Sequence, residues 1–299
     1  MLAPDACPEK PTGMDKRNVP VSMAAAGFAR VACAIVALSV LLASCQSVVV
    51  HEVRSSYSHI QVVDHRSRRA MIFLGETPSD AIETIIDLRE PYRLQHRYAR
   101  TMTAGLIYRP EASACLLVGL GGGALVRFLN HYFPEISLDV VEIDPAVVSV
   151  SREFFGTTSG PRTRIFVEDG VQYLRRVPER YDLILMNAHL HPGVGTDRVG
   201  MPLHLQEVNF LRGLHERLRP GGVVMFNMIA SADSAAYIQN IRAAFPAVET
   251  FRPLGSGNMI VMGAATLPSD SELRERARAL DRRGGFGFSF DQLLDQRGK

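Results

Sequence analysis

The apolar residues of this chain fall into short runs that end abruptly on glycine or on a polar side chain. Leu116-Leu-Val-Gly-Leu-Gly-Gly-Gly-Ala-Leu125 carries one run into glycines, and Leu138-Asp-Val-Val-Glu-Ile-Asp144 carries the next into acids. Arg164-Ile-Phe-Val-Glu-Asp-Gly170 and Tyr181-Asp-Leu-Ile-Leu-Met-Asn187 repeat the pattern, each predicting a strand with a polar tip. The turn Leu218-Arg-Pro-Gly-Gly222 feeds a fifth strand, Val223 to Met228, and Met259 to Gly263 reads as a closing one. Between them Leu205 to Leu218 has helical spacing, with Val208, Leu211, Leu214 and Leu218 on one face. Strands alternating with helices predict a doubly wound, mostly parallel sheet covered on both faces.

The flanking segments read differently. Ser55 to Asp64 and Arg69 to Gly75 alternate with a period of two and predict a small β-hairpin domain, followed by a helical run from Tyr98 toward Leu106. Ser271 to Asp281 predicts an amphipathic helix with Leu273, Ala277 and Leu280 on one side, starting at Ser271. The phenylalanine-rich stretch from Gly284 to Phe290 is expected to dock on the β-domain or to form a dimer contact. The expected organisation is 1–50 as an N-terminal signal or anchor, 51–110 as hairpin domain and linker helix, 111–265 as the nucleoside-binding α/β domain, and 266–299 as C-terminal helix and tail.

Composition narrows the chemistry. A net charge of +2 gives no electrostatic case for nucleic acid. Lys10, Lys16 and Lys299 are the only lysines, so the body lacks a Schiff-base or phosphate-loop lysine. Four cysteines supply neither a disulfide framework nor a metal-ligand spacing, and Cys115, inside the first sheet strand, reads as a small buried hydrophobe. His189, His191 and His204 lack an acid partner at ligand spacing, so no metal is expected.

The glycine stretch is the first candidate site. Gly119, Gly121, Gly122 and Gly123 let backbone approach a ligand at the start of a helix. Glu142, 23 residues after Gly119, is placed to accept hydrogen bonds from ribose hydroxyls. Gly119, Gly121 and Ala124 also satisfy a dinucleotide fingerprint, so a nicotinamide cofactor must be weighed. The order of landmarks decides between the two. Glycine loop, Glu142, Asp169-Gly170 and Asn187 at successive strand tips resemble the class I S-adenosylmethionine-dependent fold, a seven-stranded methyltransferase-like sheet.

With the β-hairpin domain in front, residues 52 to 264 resemble the spermidine synthase (polyamine aminopropyltransferase) family. The resemblance implies S-adenosylmethionine or its decarboxylated form as a substrate-like cofactor, an amine as acceptor, and an alkyl-transferring enzyme. It implies that Glu142 holds the ribose, that Asp169 and Gly170 face the adenine, and that Tyr57 and Tyr98 lie on the substrate side. It also exposes departures. The family's base, an aspartate at the fourth strand's tip, is Asn187 here, and an amide accepts no proton at useful pH. The glycine-loop aspartate is Gly122, and the His-Glu pair after the tyrosine is Ala99-Arg100. His191 falls where the loop's second aspartate stands and is the candidate replacement base, against the plainer reading of His189 and His191 as exposed loop residues. Asp197 and Glu207 read as helix-start or surface groups. The competing expectation is a non-catalytic nucleoside- or polyamine-binding lipoprotein on the same scaffold.

The N-terminus adds a location. Lys16, Arg17 and Arg30 precede a 14-residue uncharged run, Val31 to Ser44. A basic flank and short apolar core make a secretory signal pattern, and Leu42-Ala-Ser-Cys45 resembles a bacterial lipoprotein box with Cys45 lipidated. The alternative is a short membrane anchor running to Val50. Both place the body outside the cytoplasm, where S-adenosylmethionine is not made; a misleading signal would leave it cytoplasmic.

Overall fold

The computed structural model describes residues 47–75, 81–190 and 192–298. The segment expected to be a signal, with Cys45, and the loop residue His191 lie outside them.

The N-terminal sheet is antiparallel, in the order β1 (Val48–Arg54), β2 (His59–His65), β3 (Arg68–Phe73) and β4 (Ala81–Asp87). The expected hairpin corresponds to β2 and β3. The sheet is extended on both sides, because β1 and β4 alternate too weakly to be read as strands. In β4 the buried residues Thr84 and Ile86 occupy one face, and half-buried Glu83, Ile85 and Asp87 the other.

The larger sheet has seven strands, in the order β10-β11-β9-β8-β5-β6-β7. They are β5 (Ala114–Val118), β6 (Ser137–Glu142), β7 (Thr163–Val167), β8 (Tyr181–Met186), β9 (Leu218–Ile229), β10 (Ala247–Phe251) and β11 (Asn258–Ala264). Strands β5 to β9 are parallel, and β11 and β10 are antiparallel additions at one side. The chain runs outward from β5 through β6 to β7, then returns to the other side of β5 with β8. That reversal opens a crevice at the strands' carboxyl ends.

Both faces of this sheet are buried, which explains the unbroken apolar runs. Along β5, Cys115 and Leu117 face one core together with Leu138, Leu183 and Met225. Leu116 and Val118 face the other, with Val141, Ile184 and Phe226. Cys115 is fully buried, as the sequence suggests.

The helices are α1 (Arg97–Met102), α2 (Gly105–Tyr108), α3 (Ala124–Tyr132), α4 (Pro145–Phe155), α5 (Gly170–Arg176), α6 (Val208–Glu216), α7 (Ser234–Ala244), α8 (Asp270–Arg283) and α9 (Phe290–Leu294). Three sequence expectations are corrected. The helix expected from Leu205 to Leu218 is shorter: Leu205 closes a 3₁₀ turn, and Leu218 already belongs to β9. Helix α8 is capped by Ser269, whose Oγ accepts from the Glu272 N–H, rather than by Ser271. The aromatic tail docks on the α/β body itself. Phe286 stacks on Phe133 at 5.8 Å between ring centres, and Phe288 on Phe128 at 5.9 Å.

Candidate active site

Four strand tips converge on one crevice. Gly119 and Gly121 follow β5, Glu142 ends β6, Asp169-Gly170 follows β7 and Asn187 follows β8, and all of them line it. The backbone explains their meeting. Gly119 N–H donates to Val141 O at 2.8 Å and Asn187 N–H to Val118 O at 2.8 Å, so the tips of β5, β6 and β8 are held side by side.

Only part of the glycine stretch faces this space. Gly122 and Gly123 are absent from the lining and pack beneath the loop. Gly122 N–H donates to Thr84 Oγ1 at 2.8 Å, and a Cβ at 122 would lie 2.8 Å from Thr84 Cγ2. A Cβ at 123 would collide with Thr157. A longer side chain at 122 therefore has no room while β4 crosses there. Buried Arg127 secures the loop from below: its Nη1 donates to Gly122 O, Phe155 O and Thr157 Oγ1. No local pattern marks Arg127, because its partners are two carbonyls and a hydroxyl brought in by folding.

Glu142 is 8% exposed, and each of its oxygens accepts one backbone N–H, from Leu120 at 2.8 Å and Asp144 at 3.0 Å. The carboxylate keeps acceptor capacity for a ligand. Burial pushes its pKa up, while backbone hydrogen bonds from Asp144, Leu120 and Ile143 oppose that rise. Asp144 caps α4 through Oδ1, and its Oδ2 accepts from Ser55 Oγ at 2.7 Å and Ser58 Oγ at 2.5 Å. This ties the β1–β2 turn to the crevice. Tyr57, in the same turn, is 39% exposed and lines neither this crevice nor its neighbour, so the structure does not bring it to the site.

Asp169 caps α5, its Oδ1 accepting from Val171 and Gln172 N–H, and its Oδ2 stands 3.3 Å from His204 Nε2. Asp197 is an organiser of the β8–α6 segment, accepting from Val199, Met201 and Gln206, rather than a helix start. Glu207 is exposed at the start of α6 with no side-chain cap bond.

Asn187 stands in a polar chain. Asn227 Nδ2 donates to its Oδ1 at 2.8 Å, and Asn258 Nδ2 donates to Asn227 Oδ1 at 3.0 Å. With its carbonyl oxygen so occupied, the amide of Asn187 hydrogen-bonds the Tyr98 phenol. Tyr98 also donates to the Glu83 carbonyl at 3.4 Å, and burial raises its pKa, so the phenol stays protonated.

His189 is half-buried rather than an exposed loop residue. Burial pulls its pKa down to about 4, so the ring is neutral at physiological pH. It hydrogen-bonds the Asn187 backbone, and its buried Nε2 has no partner among the described residues.

Glu83 of β4 is the residue the sequence did not disclose. It lines the crevice and also a neighbouring cavity between β4, α1 and β9. Burial, and then the charge of Glu142, push its pKa up to about 7. A signal existed, since an acid interrupts the apolar positions of β4, but an acid in an alternating strand ordinarily faces water.

Comparison with known proteins agrees with this geometry. The family model described as "Spermine/spermidine synthase domain" matches residues 95–252. A polyamine aminopropyltransferase from Vibrio vulnificus is 30% identical over 247 residues, covering 79% of this chain and 78% of that one. Human methyltransferase-like protein 13, solved in complex with SAH, is 28% identical with a TM-score of 0.58, covering 63% of this chain and 92% of that one. A probable spermidine synthase from Corynebacterium glutamicum superimposes with a TM-score of 0.63 at 22% identity, covering 82% and 92%, which is a likeness of fold. Matched by the family model over more than half its length and by a curated relative over most of it, the chain belongs to the spermine/spermidine synthase family.

Proposed function

We propose that this protein moves an alkyl group from a nucleoside sulfonium to a small amine, with decarboxylated S-adenosylmethionine as donor. The carrying observation is the charge of the crevice. Glu83, Glu142, Asp144, Glu168 and Asp169 line it, and no lysine or arginine is among its described lining residues. A donor with a sulfonium and a free ammonium suits such a site. S-adenosylmethionine brings a carboxylate that finds no cation there and meets like charges instead. Glu142 supplies the ribose acceptor, and Asp169 with the first turn of α5 lies where the adenine is expected. Asn187 and Tyr98 stand beside the reacting centre as orienting groups.

Calorimetry on the body from residue 46 onward tests this reading. Methylthioadenosine and decarboxylated S-adenosylmethionine are expected to bind, the latter more tightly than S-adenosylmethionine. Glu142→Ala is expected to weaken both by at least tenfold, since a hydrogen bond to a charged group contributes roughly 1.5–3 kcal/mol. Tighter binding of NAD than of methylthioadenosine refutes the assignment. Asn187 favours one other reading, a non-catalytic nucleoside- or polyamine-binding protein. Binding of donor and amine with no product at any pH selects it.

The N-terminal segment carries a second part of the proposal: a lipid on Cys45 tethers the body to a membrane outside the cytoplasm. Metabolic labelling with a fatty acid is expected to mark the natural protein and to miss Cys45→Ala. An unlabelled natural protein in the cytoplasm overturns the tether.

A further inference from the structure

The cavity beside the crevice has no occupant in the scheme so far. It lies between β4, α1 and β9, and Glu83 and His189 line both spaces. Three acceptors collect there. The Glu83 carboxylate sits at the junction, where Tyr98 donates to the Glu83 backbone carbonyl rather than to its side chain. His189 Nε2 and His96 Nε2 are both buried with no partner among the described residues. Burial lowers the pKa of both histidines, so both rings are neutral near pH 7. Neither buried ring nitrogen has a donor among the described residues, although Gln95 and Arg97 also line the cavity, and a primary ammonium brings three N–H groups to the carboxylate and these nitrogens.

We infer that this second cavity holds the acceptor amine and that Glu83 takes its proton, acting from the N-terminal sheet where Asn187 cannot. The inference rests on the transferase reading above and adds the acceptor's place and the base. An ammonium proton passes to a Glu83 oxygen. The freed lone pair forms a C–N bond to the methylene beside the sulfonium, and the C–S electron pair stays on sulfur as a neutral thioether. The positive charge thus moves from sulfur to the new secondary ammonium, and Glu83 releases its proton to water. The elevated pKa of Glu83, about 7, matches it to this task, since a base works best when its pKa lies near the working pH. Facing it are Glu142 and Asp144 from the β6 tip, His96, Arg97 and Tyr98 at the start of α1, and His189 after β8. Of these, Glu142 is the charge that raises it.

The test uses the full chain saturated with methylthioadenosine and titrated with 1,4-diaminobutane, together with single-turnover transfer from decarboxylated S-adenosylmethionine. Glu83→Gln is expected to weaken diamine binding at least tenfold, a larger loss than for methylthioadenosine, and to slow transfer by ~10²–10⁴-fold. Its rate should lose the rise with pH near 7 that the natural protein has. Glu83→Asp should keep part of the rate, and adding Asn187→Asp to Glu83→Gln should recover at least tenfold by returning a carboxylate to the reacting centre. Unchanged diamine affinity and rate in Glu83→Gln overturn the inference alone. A natural protein that binds the diamine without forming product overturns the deprotonation step. Failure of the natural protein to bind methylthioadenosine overturns the donor reading and this one with it.

Discussion

Replacing Gly119 by alanine is expected to weaken nucleoside binding by a hundredfold or more and to lower the unfolding midpoint. Gly119 has φ +92°, a region L-residues enter only with strain, at a cost of roughly 1–3 kcal/mol. The larger effect is steric. An ideal Cβ would lie 2.4 Å from Asn187 O and 2.9 Å from Ala188 Cα, so the backbone at the tip of β8 must move. That movement carries Asn187 out of its bond with Asn227 and away from the crevice. Gly156→Ala is the internal control. Gly156 ends α4 at φ +67° with nothing within 4 Å of its ideal Cβ, so only the dihedral cost, roughly 1 kcal/mol, should be seen there. Equal effects of the two substitutions on binding contradict the steric account.

The second large effect is on stability. Asp182 lies in β8, 1% exposed, at the end of the sheet opposite the crevice. Its Oδ2 accepts from Ser113 N–H at 2.9 Å, Ala114 N–H at 3.1 Å, Ser113 Oγ at 3.1 Å and Arg219 Nη1 at 3.0 Å. Its Oδ1 accepts from Arg109 Nη2 at 3.1 Å and Nε at 3.2 Å. One carboxylate therefore joins β8 to the entry of β5 and to β9. Asp182→Ala leaves two backbone N–H groups and two guanidiniums without it, which is expected to cost about 3–5 kcal/mol in denaturant unfolding at pH 7. Burial opposes its ionisation, but the hydrogen bonds outweigh burial and its pKa is lowered. A lowered carboxylate pKa contributes stability above the unfolded value of about 3.9 that is lost as pH falls through the folded one. The difference between natural and variant proteins should therefore narrow below about pH 4. A variant within 1 kcal/mol of the natural protein at pH 7 contradicts this role.

The two substitutions act at opposite ends of the same strands, and the division reflects the fold. The amino ends of β5 and β8 are tied by a fully paired buried charge. The carboxyl ends are left with groups that keep spare hydrogen-bonding capacity: Glu142 with acceptor capacity on its carboxylate, and His189 with an unpartnered nitrogen. Glu83, with its pKa raised to about 7, joins them. Ionised or unpartnered groups at the carboxyl ends cost stability, and such costs concentrate where a ligand completes the pairing.

The central sheet was legible along the chain because parallel strands buried on both faces must be apolar throughout, and each must end where the backbone turns toward a ligand. That physical requirement placed Gly119, Glu142, Asp169 and Asn187 at strand tips, and the family resemblance implied the seven-stranded sheet that brings those tips together. Other features depend on chain segments far apart in sequence. Glu83 precedes Glu142 by 59 positions and reads locally as a solvent-facing acid in a short strand. It becomes a half-buried carboxylate only because the N-terminal sheet closes over the glycine loop, with Thr84 filling the space beside Gly122. His189 becomes a neutral ring with one unpartnered nitrogen in the same way, and the aromatic tail packs on α3 rather than on the β-domain. Local sequence determined which residues end strands. The desolvation and proximity that give those residues, and Glu83 beside them, their chemistry were decided by tertiary packing, because burial and charge coupling belong to the folded chain alone.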